Sequence, residues 1–340
     1  PHIDEREWMD LVMSTGQFDP CFVRVDRCTP LGLLETEIPA HGEPFFSPNN
    51  YVDSALLDCA QKAGIRLILD GLDGDTAVGH GWEFLGELFR RGKWRRMWRL
   101  GRELDRNTDR SALWFLWRHA FAPTASGLWK RARGSFADQR PVIMNREFAR
   151  RVGWAERKRE AKKSPSFRSL SGFRQQHWAI LASGLMPAMF EIAARQAGLR
   201  GMGRRHPYFD RRLVEFCVSL PAEQRLYKGF DRVIQRRAVE GLVPDEIRAR
   251  LSKSIWVDSY RDRLRQQERA RIEAWLARKD SAAAEFIDLK ELGKACRAAW
   301  KKGASERFLI EIWLAYALDL WLYILHTPIL NTSVGEGTVR

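Results

Sequence analysis

The stretch Ile68-Leu69-Asp70-Gly71-Leu72-Asp73-Gly74-Asp75-Thr76-Ala77-Val78-Gly79-His80-Gly81 decides how the rest of the chain is read. Ile65 to Leu69 is a short apolar run with too few polar residues for a solvent-facing strand, which suits a strand buried on both faces of a parallel sheet. Before it, Val52 to Ala63 carries a helical stripe of Leu56, Leu57 and Ala60, and Gly64 sits where a helix stops. Helix, glycine stop, strand and Gly/Asp loop make the second half of a βαβ unit. Ligands of open α/β sheets bind at the carboxyl ends of strands, where Asp70 to Gly81 must lie. Glycines let backbone N–H groups approach phosphates, and aspartates can hold a bridging Mg²⁺. The spacing matches neither a Walker loop, nor GxGxxG, nor an EF-hand; by itself it is equally compatible with a tight turn and capping aspartates.

Working outward, Glu7 to Thr15 reads as a short helix and Phe18 to Val25 as β-rich. Thr29 to Asn50, punctuated by Pro30, Pro39, Pro44 and Pro48, reads as an extended loop. Beyond residue 80 helical spacing dominates: Trp82–Phe89, Arg95–Leu104, Ala112–Phe121, Gln175–Ala197, Arg211–Ser219, Phe230–Glu240, Tyr260–Ala277 and Ser305–Leu325. Trp129 to Ser171 is irregular and charged, and the polar tail 331–340 is expected to fray. The expected fold is α/β but predominantly helical. A partial parallel sheet (1–81) precedes a large helical region (82–330) within one domain. So few strands make a narrow layer, and a chain that opens on Pro1 and runs straight into patterned sequence reads as a truncated piece.

The 340 residues are 45% hydrophobic and include fourteen tryptophans, which argues for a folded core. A formal charge of +14 attracts polyanions without choosing among nucleotide phosphates, RNA and acidic lipid. Five cysteines without CxxC spacing (Cys21, Cys28, Cys59, Cys217, Cys296) fit inert thiols in a reducing cytosol. The chain has no basic-then-apolar leader, and cytoplasmic location is the expectation. The apolar run Phe308–Leu325 is interrupted by Glu311 and Asp319, so it reads as a buried helix and no membrane span is expected.

The loop Asp70–Gly81 aligns without a gap with SGEGxDExxGGY, the second ATP loop of asparagine synthetases and their relatives. Upstream, Glu43-Pro44 followed by a helix matches the approach to that strand. Arg205-His206-Pro207-Tyr208-Phe209-Asp210-Arg211-Arg212-Leu213-Val214-Glu215-Phe216 resembles the family's RxPFLDxxLVEF. Ser219-Leu220-Pro221, the helix ending at Ala238, Gly241-Leu242-Val243-Pro244 and Arg250-Leu251-Ser252-Lys253 resemble the later blocks in the family's order. Pro207 to Pro221 is also similar to PxFDRRLVEFCxxLP, a pattern of the lasso-peptide cyclase-like members, which close a macrolactam.

The resemblance implies an adenine-nucleotide-hydrolase-like (Rossmann-like) sheet and ATP-dependent amide formation through an acyl-adenylate, making asparagine or closing a peptide. It implies ATP and Mg²⁺ as cofactors, with Asp75 as the Mg²⁺–pyrophosphate ligand. Gly71 would contact the adenylate within a loop of Asp70, Gly71, Asp73, Gly74 and Asp75. Lys253 would meet negative charge that builds on phosphate and carboxyl oxygens; Asp75 and Lys253 are the expected catalytic pair. Asp210 and Arg205 read as structural residues that tie a helix start to its neighbours, and His80 as packing.

Three departures stand out. No SGGxDS, the family's first ATP loop, occurs, so this chain alone is expected to bind ATP poorly. Leu72 and Gly203 stand where asparagine synthetases carry carboxylates that position the amine. No glutaminase domain is present, so ammonia would come from a partner, and a small-molecule or peptide carboxylate is the expected substrate. A glutaminase domain or a peptide-recognition protein is the expected partner; the alternatives are an inactive homologue acting as a binding or regulatory partner, and a basic surface for nucleic acid, the least favoured of the three. For the last, Arg90–Arg99 interleaves cations with tryptophans and Arg146–Lys163 is a second basic run. Both also read as solvated helix faces with tryptophans turned inward, or as a receiver of acidic peptide.

Overall fold

The computed structural model describes residues 4–16, 18–24, 28–44, 47–108, 110–122, 141–161, 172–251, 257–278, 280–301 and 306–327. The chain opens with α1 (Arg6–Met13), α2 (Pro30–His41) and α3 (Asn50–Lys62), then β1 (Leu67–Leu69). There follow α4 (Gly74–Val78), α5 (Glu83–Arg90), α6 (Trp94–Asn107) and α7 (Ala112–Leu116), which runs into a π-helical turn, Trp117–Phe121. Next come α8 (Arg146–Arg151), α9 (Trp154–Ala161), α10 (Gly172–Leu181), α11 (Leu185–Gly198) and β2 (Gly203–Arg205). A 3₁₀ turn (Pro207–Phe209) leads to α12 (Arg211–Ser219), the hairpin β3 (Leu226–Tyr227) and β4 (Phe230–Asp231), then α13 (Val233–Ala238) and α14 (Asp245–Ala249). The chain closes with α15 (Val257–Gln266), α16 (Arg269–Ala277), α17 (Leu289–Ala299) and α18 (Glu306–His326). It is a helix-rich α/β protein.

β1 and β2 pair in parallel, Leu67 opposite Gly203 and Leu69 opposite Arg205. Leu57 of α3, Ala197 of α11 and Met202 cover the Ile68 side of this pair. The other side is open: Leu67 is 52% and Leu69 67% exposed. The strand is therefore covered on one face, not the two that its sequence predicts, because among the described residues only β2 pairs with it.

The main core lies among α2, α15, α16, α17 and α18 around the fully buried Trp313. The residues Pro30 to His41, expected as a loop, form α2. Thr29 caps the start by accepting from the Gly32 amide, Pro30 occupies the first helical position, and Gly42 ends the helix at φ 76°. Proline there is favourable because its missing N–H has no helical partner to lose. The buried carboxylate of Glu268 accepts from the Leu31 amide at 3.3 Å, and Tyr260–Ala277, expected as one helix, is two, parted at Gln267-Glu268. Gln175–Ala197 likewise breaks, at Ser183-Gly184.

A second core gathers Phe84, Leu85, Leu88, Leu100, Leu104 and Phe115, from α5, α6 and α7. Here Trp94 and Trp98 point outward, against the inward orientation expected of a solvated basic helix. The segment Phe18–Arg24 is irregular; Phe18 and Phe22 are exposed and no neighbouring strand satisfies it. Its Cys21 is disulfide-bonded to Cys59 of α3, so two of the five thiols are not free, whereas Cys28, Cys217 and Cys296 are. Trp129–Ser171, read as irregular, contains α8 and α9, and the tail 331–340 lies outside the described residues.

Candidate active site

Parallel pairing brings the carboxyl ends of β1 and β2 to one edge, so Asp70 and His206 emerge side by side. The Asp70 carboxylate accepts from the Leu72 amide (3.0 Å), from His206 Nδ1 (2.7 Å) and from the Arg204 guanidinium. Burial pushes its pKa up, but the His206, Leu72 and Arg204 bonds outweigh that and hold it below the usual carboxylate value. Arg204 also grips Asp53 of α3 at 3.0 Å. Asp70 is thus a clasp closing the strand ends on α3. The tie expected of Arg205 belongs to Arg204; Arg205 is exposed and donates to the Arg204 carbonyl.

Asp73 adopts the left-handed conformation, φ 53°, which turns the chain into α4. A side chain at Gly74 would place its Cβ 2.8 Å from the Tyr208 ring, so only glycine fits there. At Gly71 the same Cβ would meet Tyr208 at an ordinary 3.9 Å. The Tyr208 hydroxyl accepts from Gln235 Nε2 of α13 at 2.7 Å, wedging the ring between loop and helix.

Asp75, in the first turn of α4, ion-pairs with Arg232, which itself has φ 50° at the start of α13. Both line a cavity of about 380 Å³ with Glu5, Tyr208, Arg236 and Arg250. Arg248 joins the lining, and Arg250 pairs with Glu5 at 2.8 Å and stacks over Trp8 at 4.7 Å. The cavity is rich in arginine, and each arginine is paired: Arg232 with Asp75, Arg250 with Glu5, Arg236 with Asp231 at 3.2 Å and Arg248 with Asp245 at 2.9 Å. Lys253 lies outside the described residues, three positions beyond Arg250. Of the expected loop residues, only Asp75 lines the cavity; Asp70, Gly71, Asp73 and Gly74 shape the turn that presents it. The cavity's arginines were missed as site residues, although Arg232, Arg236 and Arg250 lie within blocks that the resemblance picks out.

Beneath the cavity the loop rests on a buried polar relay. His177 Nε2 donates to the Thr76 carbonyl of α4 (2.6 Å), and Arg225 Nη1 donates to His177 Nδ1 (2.8 Å). Arg225 also donates to the Cys217 carbonyl and is 1% exposed. A Cβ on Gly81, at φ 80°, would fall 2.8 Å from the Arg225 Cβ, so this glycine serves the relay and not phosphate approach. His80, read as packing, bonds Asp231 at 2.5 Å and stacks on Trp82 at 4.2 Å. Burial raises the Asp231 pKa, but His80 and the nearby arginines bring it down to about 2.

Burial first, and the Arg225 charge second, push the His177 pKa down to about 4 from 6.5; burial, Arg118 and His80 do the same to His119. Each histidine is neutral in the fold and protonates more readily once unfolded. Their contribution is therefore fully present above pH 6.5 and is lost as the pH falls toward about 4. For His177 this amounts to roughly 3 kcal/mol. Urea unfolding at several pH values should show stability falling through that window. His177→Gln should be less stable than the parent at neutral pH, yet lose less on acidification; an unchanged pH dependence would contradict the buried neutral imidazole.

An arginine-rich cavity entered by Asp75 therefore follows the Gly/Asp loop that leaves the carboxyl end of β1. A family model described as asparagine synthase matches residues 1–323, and the chain belongs to that family. Membership makes it a relative of ATP-dependent, amide-forming carbon–nitrogen ligases. No curated protein matches the chain.

Proposed function

We propose that this chain forms amide bonds by activating a carboxylate with ATP, and the observation that carries the reading is Asp75 facing Arg232, Arg236, Arg248 and Arg250 in one cavity. A substrate carboxylate oxygen attacks the α-phosphorus and pyrophosphate leaves. An amine nitrogen then attacks the acyl carbon, AMP leaves and the nitrogen loses a proton. The arginines neutralise the charge on the departing pyrophosphate, and Lys253 is proposed to complete that field from the adjoining segment.

Mg²⁺ fits the residues present. Among the described residues no group of three or more His, Cys, Asp or Glu could hold a metal, but Mg²⁺ is commonly held by one or two carboxylates together with phosphates and water. Asp75 supplies one such carboxylate, and the ion would add charge neutralisation at the phosphates. Arg232 gives up its pairing with Asp75 in this reading and turns to phosphate.

The β1–β2 pair with α3 and α11 is read as part of an adenine-nucleotide-hydrolase-like sheet. Neither Leu72 nor Gly203 can act on the amine, and a Cβ at Gly203 would meet Leu67 Cδ1 at 3.3 Å. Closure of a peptide macrolactam suits this better than asparagine formation, with the amine presented by the substrate itself or by a partner glutaminase. We place the protein in the cytoplasm with α18 as a core helix: its Asp319 is buried and accepts three hydrogen bonds inside the fold.

Mg²⁺-dependent ATP–pyrophosphate exchange, measured with aspartate and with carboxylate-bearing peptides, tests the reading. Arg232→Ala and Arg250→Ala should each lower exchange by roughly 10²–10³-fold while the protein stays folded. Nucleotide binding without exchange for any acid would favour the inactive homologue, which Leu72 and Gly203 already motivate. Because weak ATP binding is expected of this chain, the assay is run at saturating ATP; absence of exchange with every acid there would overturn the proposal.

A further inference from the structure

Helix α6 turns Met97, Leu100, Gly101 and Leu104 into the second core. Its opposite face carries Trp94, Arg95, Trp98, Arg99 and Arg102, with Trp94 62% and Trp98 47% exposed. Neither indole is needed to close the core, and leaving large apolar rings in water has a cost that folding does not require. Among the described residues, Arg95, Arg99 and Arg102 have no ion pair, whereas Arg96 is committed to Glu223. This face is therefore aromatic and carries three arginines without an ion pair beside one exposed carboxylate, Asp105.

The surface continues beyond the helix. α7 packs along α6, with Leu116 close over Gly101, and presents Leu113 and Trp117 to solvent. At the amino end of α6 a cavity of about 370 Å³ is lined by Arg91, Lys93 and Arg174 on a floor of Phe84 and Phe173.

The chemistry selects the occupant. Glu87 and Glu223 in the same cavity are each paired with an arginine, Arg91 and Arg96, so the cations left for a ligand are few and spaced for single carboxylates, not for a continuous run of phosphates. An exposed aliphatic side chain such as Leu113 offers a base little to stack on. Tryptophan and arginine together are the residues that dominate polypeptide recognition. The stripe Trp94–Trp98–Arg102 repeats every four residues, about 6 Å along the helix axis. Same-face residues of an extended peptide recur at about 6.8 Å, so the two repeats nearly coincide.

We propose that the outer face of α6, with the cavity at its amino end, docks an acidic polypeptide segment. Its carboxylates lie against Arg95, Arg99 and Arg102, and its apolar side chains against Trp94 and Trp98. This docking does not depend on the ligase reading, because no residue of this face lines the Asp75 cavity.

Fluorescence anisotropy of a labelled peptide of repeating Glu-Glu-Leu-Phe, at near-physiological salt, tests it. Binding in the micromolar range is expected. It should weaken about tenfold in Arg95→Gln/Arg99→Gln and about fivefold in Trp94→Ala/Trp98→Ala. Asp75→Ala should bind the peptide as the parent does, which separates this site from the catalytic one. All four altered residues of the face are exposed, so unchanged thermal unfolding is expected of the variants and is checked alongside. The proposal is overturned if the peptide does not bind, or if binding ignores the tryptophans and reflects only the net charge of the chain. Oligouridine, or phosphatidylserine vesicles, outcompeting the peptide at equal charge would overturn it too, as would loss of peptide binding in Asp75→Ala.

Discussion

Replacing Asp75 by alanine is expected to lower ATP–pyrophosphate exchange by about 10²–10³-fold, with little effect on the fold. The carboxylate is partly exposed and its pair with Arg232 is an ordinary partly buried ion pair, so its loss costs stability only about 1 kcal/mol. Its removal leaves Glu5 as the remaining carboxylate among the cavity's lining residues, against four arginines. Pyrophosphate added without Mg²⁺ should then bind as well as to the parent, or better, while the Mg²⁺ dependence of exchange disappears. Asp75→Asn separates the two roles the residue could have. If Asp75 only steadies the first turn of α4, asparagine keeps exchange near the parental level. If the charge matters for the phosphates, asparagine fails as alanine does. Exchange retained in both variants would remove Asp75 from the chemistry.

The legibility of this site in the sequence was uneven for physical reasons. The order helix, glycine stop, strand and Gly/Asp loop could be read because each part is local, with Gly64 stopping α3 and β1 following; the short helix α4 inside that loop was not read. Arg211–Ser219 was read to the residue, since Asp210 caps it by accepting from the Arg212 amide, a contact within three residues. The arginines of the cavity were not legible in this way. Arg232 meets Asp75 only because a β-hairpin and a residue at φ 50° fold the chain back across the loop, a tertiary effect without local pattern. The glycines misled in the other direction. Gly74 and Gly81 look like phosphate-approach residues, yet Tyr208 and Arg225 occupy the space their side chains would need.

Prolines explain the largest miss in the fold. Four of them between residues 29 and 50 suggested a loop, but Thr29-Pro30 is a helix start and Gly42 a helix stop. The same rules that ended α3 at Gly64 would have found α2. What propensity could not supply is its stability: Pro39 removes a bond inside the helix, and burial of Leu31, Leu34 and Ile38 against α18 offsets that. The family resemblance rested on blocks that end at Lys253, and the family model extends the match to residue 323.

Asp319→Ala is expected to destabilise the protein by about 3–5 kcal/mol, the range for removing one partner from a buried charged network. Its carboxylate lies within α18, 4% exposed, and organises two other elements. Oδ2 accepts from the Trp275 indole of α16 at 2.7 Å. Oδ1 accepts from the Ser281 hydroxyl at 2.7 Å and from the Ala283 amide at 3.0 Å. Alanine would leave those donors buried without an acceptor and open a cavity beside Trp275, a member of the main core. Asparagine should recover part of the loss, because its carbonyl can serve one side while its NH₂ faces a donor on the other. Equilibrium urea unfolding should therefore rank parent above Asp319→Asn above Asp319→Ala. If Asp319→Ala were as stable as the parent, α18 would not be the core helix described.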